Sequence, residues 1–234
     1  HGLTDSPFLM TDIRDTLTSK FPCATFHGVL LPGHGTVPGD LLDVTYEEWI
    51  ETVRYGMDGF TDGTDHIITI GYSMGAALIG REFDARRRDP RMTAMVLLSP
   101  GFSAKSDQAW LTPYARYVQS WVGQGENSDA AKYGSMAMNA AAEFHLLTEP
   151  YRNGTMDAFD IPVFMVVSSD DRTVDPLLAA NFFCSKVTNN NKRLIWYQGE
   201  EHLIDEHPLC EGVDIVKSAA PDWRTLNHAH TAIT

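Results

Sequence analysis

The sequence predicts an α/β protein: a mostly parallel central sheet flanked by helices, with one helical insertion. Three observations predict it. Short β-branched runs alternate with helical patterns along 234 residues, which is the signature of strands joined by crossover helices. Those runs are nearly continuous in apolar residues, as parallel strands buried by helices tend to be. One interval, residues 102–160, breaks the alternation. The length suits one large domain or a domain carrying an inserted sub-domain.

Four strands stand out. They are His66–Ile70, Ala94–Leu98 (stopped by Ser99-Pro100-Gly101), Val163–Val167 (entered through Pro162) and Arg193–Tyr197. Ala24–Leu31, ending at Pro32-Gly33-His34-Gly35, is predicted as a fifth. Helices fall between them. Thr45 and Glu48 have capping-box spacing, and Trp49, Ile50, Val53 and Met57 recur on one face after them. A second helix is predicted from Met74 to about Arg88 with Leu78, Ile79 and Phe83 inward. Its basic run Arg86-Arg87-Arg88 offsets the dipole at the C-terminal turn. Pro176 opens a third helix, where proline is tolerated.

Within 102–160, the spacing of Trp110, Tyr114, Tyr117, Val118 and Trp121 predicts an amphipathic helix. An Ala/Met-rich stretch, Met136–Ala142, and then Phe144, Leu146 and Leu147 follow. The interval reads as a helical insert over one end of the sheet. Its aromatic stripe either packs on the body of the protein or lines an apolar site.

Composition narrows the function classes. Lys and Arg number 18 against 31 Asp and Glu, a formal net charge of −13. That is a poor match to a nucleic-acid backbone, which rewards clustered cations. No apolar stretch approaches the roughly 20 residues that span a bilayer. Cys23, Cys184 and Cys210 are widely spaced, odd in number and without a CxxC, so they are predicted to be buried free thiols rather than a disulfide framework or a zinc site. His27 and His34 lack acidic or thiol neighbours at metal-ligand spacing, and no metal or other cofactor is predicted. Compartment and oligomeric state stay open.

The chemistry concentrates at Gly71-Tyr72-Ser73-Met74-Gly75, a G-x-S-x-G segment between a predicted strand and a predicted helix. A serine on so tight a turn sits in strained backbone, and neighbours with a Cβ would collide, hence the two glycines. Ser73 would then project above the sheet edge at the positive end of the following helix. A serine hydroxyl needs a base. His202, just past the last apolar strand, is favoured over His207, and His145, His228 and His230 lack such a strand-end position. The base needs an acid to fix its tautomer. Asp170, Asp171 and Asp175 all follow the strand Val163–Val167, and Asp171 is favoured. The chain order Ser73, Asp171, His202 matches Ser…Asp…His hydrolases. An oxyanion would be held by the N–H of Met74 and that of Leu3 in His1-Gly2-Leu3-Thr4.

On these residues the chain resembles serine hydrolases of the α/β-hydrolase superfamily, in the carboxylesterase, monoacylglycerol lipase and lysophospholipase group. The matching segments are His1-Gly2-Leu3-Thr4, Leu31-Pro32-Gly33-His34-Gly35, Gly71–Gly75, Asp171-Arg172-Thr173-Val174-Asp175-Pro176 and His202. The family's acid is an aspartate followed by x-x-Val, which selects Asp171. The resemblance implies the α/β-hydrolase fold, a core of residues 1–101 and 161–234, and a helical cap at 102–160. It also implies hydrolysis of small-molecule carboxylic esters through an acyl-enzyme, without cofactor. Within the cap, Trp110, Tyr114 and Trp121 are the expected substrate-binding side chains. The same machinery serves thioesters, amides or acyl transfer, and a non-catalytic ligand-binding homologue would keep the fold with a broken triad. Family members carry a strand before the oxyanion His-Gly, so the natural chain is expected to extend before residue 1. The family's closing helix is not apparent after His207, where Pro221 and a polar end predict an incomplete or irregular C-terminus.

Overall fold

The computed structural model of the protein describes residues 1–60, 63–84, 89–125, 131–198 and 210–217. Helix α1 (Thr11–Lys20) follows the first loop, and α2 spans Tyr46–Asp58. Strand β1 (Ile67–Tyr72) leads into α3 (Met74–Phe83) and β2 (Met92–Leu98). A long connection then carries α4 (Thr112–Ala115), β3 (Trp121–Gly123), β4 (Met136–Ala137), α5 (Met138–Leu147) and α6 (Glu149–Arg152). It ends at β5 (Val163–Ser168), followed by α7 (Pro176–Lys186), β6 (Lys192–Gln198) and β7 (Val213–Lys217).

The five long strands form one parallel sheet in the order β1-β2-β5-β6-β7. Sequence and spatial order coincide, so every crossover steps the same way. Right-handed connections then bring α3 and α7 to one face. That face holds the core: Ile67, Met95, Leu97, Val163, Met165, Leu194 and Trp196 are buried beneath Leu78, Phe83, Phe182 and Phe183. Ile68 on the opposite face is 62% exposed. Burial of both faces, expected from the apolar runs, is therefore incomplete among the described residues.

Helix α2 starts as its sequence requires. Thr45 accepts from the Glu48 N–H at 3.3 Å, and the Thr45 N–H donates to Glu48 Oε2 at 2.8 Å. This satisfies two N–H groups that no helical carbonyl reaches. Trp49, Val53 and Met57 turn into the core. From α2, Arg54 holds the buried Glu82 of α3 through two hydrogen bonds of 2.9 and 2.7 Å. Helix α7 is capped by Asp175, whose Oδ1 accepts from Leu177 and Leu178 at 3.0 and 3.1 Å, with Pro176 at its first position.

Several expectations are corrected. Ala24–Leu31 joins no ladder among the described residues. It packs against α2 instead, with Val29 so close to Gly56 that a Cβ there would lie 2.5 Å from Val29 Cγ2. The aromatic stripe of 110–121 is not one helix. Only Thr112–Ala115 is α-helical, preceded by a 3-10 turn at Ala109–Leu111. Val118, Val122 and Gly123 disfavour helix, and Trp121 pairs across to Ala137 instead. Trp110, Tyr114, Tyr117 and Val118 are left exposed. The Ala/Met-rich stretch forms helix only from Met138, as α5, while Met136–Ala137 is strand β4.

The cysteines are not all free thiols. Cys184 in the last turn of α7 is bonded to Cys210, 26 residues on, with a Cα–Cα distance of 5.7 Å, and Cys23 is free but exposed. Spacing hides this pair because the parallel topology, not proximity in the chain, brings α7 beside the start of β7. Finally, Val213–Lys217 forms an edge strand on β6 where an irregular tail was expected. The run Val213-Asp214-Ile215-Val216 is β-branched enough to explain it. Arg86–Arg88 and everything after Lys217 lie outside the described residues.

Candidate active site

Parallel strands deliver their following loops to one edge of the sheet, and ligands of open α/β sheets gather there. Register aligns Tyr72 with Leu98, Leu98 with Val166, and Ser168 with Tyr197. Ser73, Ser99-Pro100-Gly101 and Ser169-Asp170-Asp171 therefore emerge side by side.

Ser73 has φ 52° and ψ −117°, a corner conformation that glycine occupies freely and serine does not. Three main-chain hydrogen bonds pin it. Its N–H donates to Leu98 O at 2.9 Å, and its carbonyl accepts from Gly101 at 2.9 Å and from Ala76 at 3.1 Å. The flanking glycines are there for room. A Cβ on Gly71 would lie 2.6 Å from the Ala76 N and Cα, and one on Gly75 would lie 2.7 Å from the His1 N. Both obstacles are main chain and cannot rotate away. The Met74 N–H opens α3, where the first turn has no helical acceptors for its N–H groups.

The loop His1–Asp5 lies against this turn. A Cβ on Gly2 would sit 3.4 Å from Ser73 Cβ and would strike Asp5 Oδ2. Two buried imidazoles hold the loop. His1 Nε2 accepts from the Leu31 N–H at 3.2 Å, so its proton sits on Nδ1 and is donated to Gly2 O at 2.9 Å. His34 has Nε2 2.8 Å from Leu3 O and Nδ1 3.0 Å from Pro32 O. Burial pushes its pKa below the usual histidine value, although these carbonyl contacts favour the charged ring. The His34 ring also stacks on Tyr133 of the β2–β5 connection. Tyr133 donates its N–H to Thr4 O at 2.7 Å and its hydroxyl to Gly33 O at 3.0 Å. Tyr133 and Asp5 carried no motif in the sequence, since their roles depend on a contact between distant segments.

Asp171 is half-buried, with Oδ1 accepting from the Thr173 and Val174 N–H groups at 2.8 and 3.0 Å. Its carbonyl accepts from Lys105 Nζ at 2.6 Å. Asp175 is committed to capping α7, and Asp170 is buried. Burial, with the Asp5 and Asp171 carboxylates nearby, pushes the Tyr72 phenol up to about 12. His202 and His207 lie outside the described residues, past Gln198 at the end of β6. His145 is on α5, where Arg152 donates to it at 3.1 Å. Of the expected substrate-binding side chains, Trp110 is 59% and Tyr114 71% exposed, whereas Trp121 packs against the core. Among the described residues no cluster of His, Cys, Asp and Glu could hold a metal ion, and no helix is long and apolar enough to cross a membrane.

The architecture is that of the α/β-hydrolases. No family model matches the chain. A carboxylesterase of Bacillus subtilis (strain 168) is 24% identical over 190 residues, covering 77% of this chain and 74% of that protein. Among solved structures, one of the metagenome-derived lipolytic enzymes LipS and LipT superposes with a TM-score of 0.68 at 18% identity, over 84% of this chain and 80% of the other. A soluble variant of monoglyceride lipase from Saccharomyces cerevisiae superposes with a TM-score of 0.58 at 12% identity, covering 72% and 66%. In sequence and in fold the chain is thus similar to esterases and lipases built on the α/β-hydrolase fold.

Proposed function

We propose that the protein is a carboxylic ester hydrolase working through an acyl-enzyme on Ser73, with His202 as base and Asp171 as its orienting acid. Ser73 Oγ attacks the ester carbonyl while His202 takes the hydroxyl proton. The oxyanion that forms is held by the Leu3 and Met74 N–H groups. Collapse expels the alcohol, which receives the proton from His202. Water, deprotonated by the same imidazole, then attacks the acyl-enzyme and frees the acid. Each oxyanion donor contributes about 3 kcal/mol in the transition state of such reactions.

The observation that carries this reading is the strained Ser73, held at φ 52° between β1 and α3 with Gly2 of the Leu3 loop against its Cβ. A serine that merely capped a helix would have no need of that conformation. The substrate class we assign is a small to medium acyl ester, or a monoacylglycerol- or lysophospholipid-like ester. The 102–160 interval acts as the cap. It opens beside Asp171, where Lys105 N–H donates to Thr173 O at 2.9 Å. Trp110 and Tyr114 are exposed side chains available to an apolar acyl group, and Trp121 packs against the core.

The test is hydrolysis of p-nitrophenyl esters from short to long chain by the wild type and by Ser73→Ala, Asp171→Asn and His202→Gln. Loss of at least about a thousandfold in kcat for Ser73→Ala and His202→Gln is expected. Wild-type turnover by Ser73→Ala would refute the assignment.

A further inference from the structure

Beside the serine stands a carboxylate that the proposed reaction does not use. Asp5 is only 5% exposed, and its Oδ1 has no hydrogen-bond partner. Its Oδ2 stands on the side of Gly2 that faces Ser73 Cβ. The cation nearest to it is Lys132 Nζ, 3.7 Å from Oδ1. Lys132 belongs to the β2–β5 connection, and the next residue, Tyr133, locks that segment to Thr4.

An ionised Asp5 would oppose the reaction, because negative charge develops on the substrate oxygen held by the neighbouring Leu3 N–H. For two unit charges taken as roughly 6 Å apart at an effective dielectric of about 20, Coulomb's law gives a penalty equivalent to on the order of a hundredfold in rate. Solvent reaching the half-exposed lysine reduces this to about tenfold. We propose that Lys132 is a positioning residue for the hydrolytic reaction, acting through Asp5 by cancelling its charge beside the oxyanion pocket. The inference rests on the Ser73 reading above. The cap then controls the catalytic edge electrostatically as well as covering it.

The groups facing Asp5 are Lys132, the His34 imidazole and the Tyr72 phenol. Burial raises the Asp5 pKa above the usual carboxylate range, and Lys132 opposes that rise. Removing the ammonium therefore leaves a carboxyl that still ionises as pH rises.

The experiment compares wild type, Lys132→Met, Asp5→Asn and the double variant on one p-nitrophenyl ester from pH 6 to pH 9, with Ser73 labelling by a fluorophosphonate measured in parallel. In Lys132→Met, kcat is expected to fall about tenfold where Asp5 is ionised, with KM within about twofold, the deficit growing as pH rises. The double variant is expected to recover to within about threefold of wild type, since no charge is left to cancel. A Lys132→Met enzyme with wild-type kcat, or a loss that Asp5→Asn does not rescue, overturns the proposal. Failure of the wild type itself to label at Ser73 would instead overturn the reading on which it rests.

Discussion

Replacing Ser73 by glycine should stabilise the protein while abolishing its activity. The serine is held at φ 52° and ψ −117° by hydrogen bonds to Leu98, Gly101 and Ala76, so the strain cannot relax by local movement. A non-glycine residue in such a sparsely populated region costs about 1–3 kcal/mol. Glycine removes that cost but loses about 0.5–1 kcal/mol of additional chain entropy on folding. The net gain is about 1 kcal/mol, or roughly 2–4 °C in Tm for a chain of this size. Ser73→Ala keeps the Cβ and hence the strain, so it is the proper reference. Differential scanning calorimetry of the two inactive variants reads the difference directly. A Tm for Ser73→Gly equal to or below that of Ser73→Ala would refute the claim that the turn is strained.

The other predictions concern the frame around the site. Reducing the Cys184–Cys210 bond, or replacing Cys210 by serine, should cost about 3.5 kcal/mol for a loop of 26 residues, measured by urea unfolding with and without reductant. Arg54→Met strands the buried Glu82 carboxylate and should cost about 3 kcal/mol, largely restored by adding Glu82→Gln. Thr45→Ala breaks the capping box of α2 and should cost about 1 kcal/mol. Burial raises the pKa of Asp5, so the folded protein binds that proton more tightly than the unfolded chain. Stability from this group is full below about pH 4 and declines as pH rises toward the folded pKa. Asp5→Asn should therefore gain on wild type through that window, and a constant difference in Tm between pH 4 and pH 8 would contradict this.

The strands and the serine turn were legible because their information is local. Ile67–Tyr72 is a β-branched run stopped by glycine, and Gly71 and Gly75 are the residues that main-chain crowding demands. Helix α2 announced itself through Thr45 and Glu48. What escaped depends on partners far along the chain. The spacing of Trp110 to Trp121 is helical, but Trp121 is held as a strand by Ala137. Cys184 and Cys210 are joined by the order of parallel strands, which no cysteine count reveals. Tyr133 reaches Thr4 and Gly33 across about a hundred residues, and the ion pair of Asp5 with Lys132 likewise joins segments far apart in the chain. Ala24–Leu31 has strand composition without a ladder to join, and composition alone does not supply one.

The central claim, a covalent acyl group on the serine of the β1–α3 turn, is tested most directly by acid-quenching the enzyme during hydrolysis of a slow p-nitrophenyl ester. Peptide mass spectrometry then locates the added mass. The account predicts one acyl group per chain, on the peptide containing Ser73, disappearing at the rate of turnover. Steady turnover with no adduct, or with the acyl group on any other residue, would contradict it.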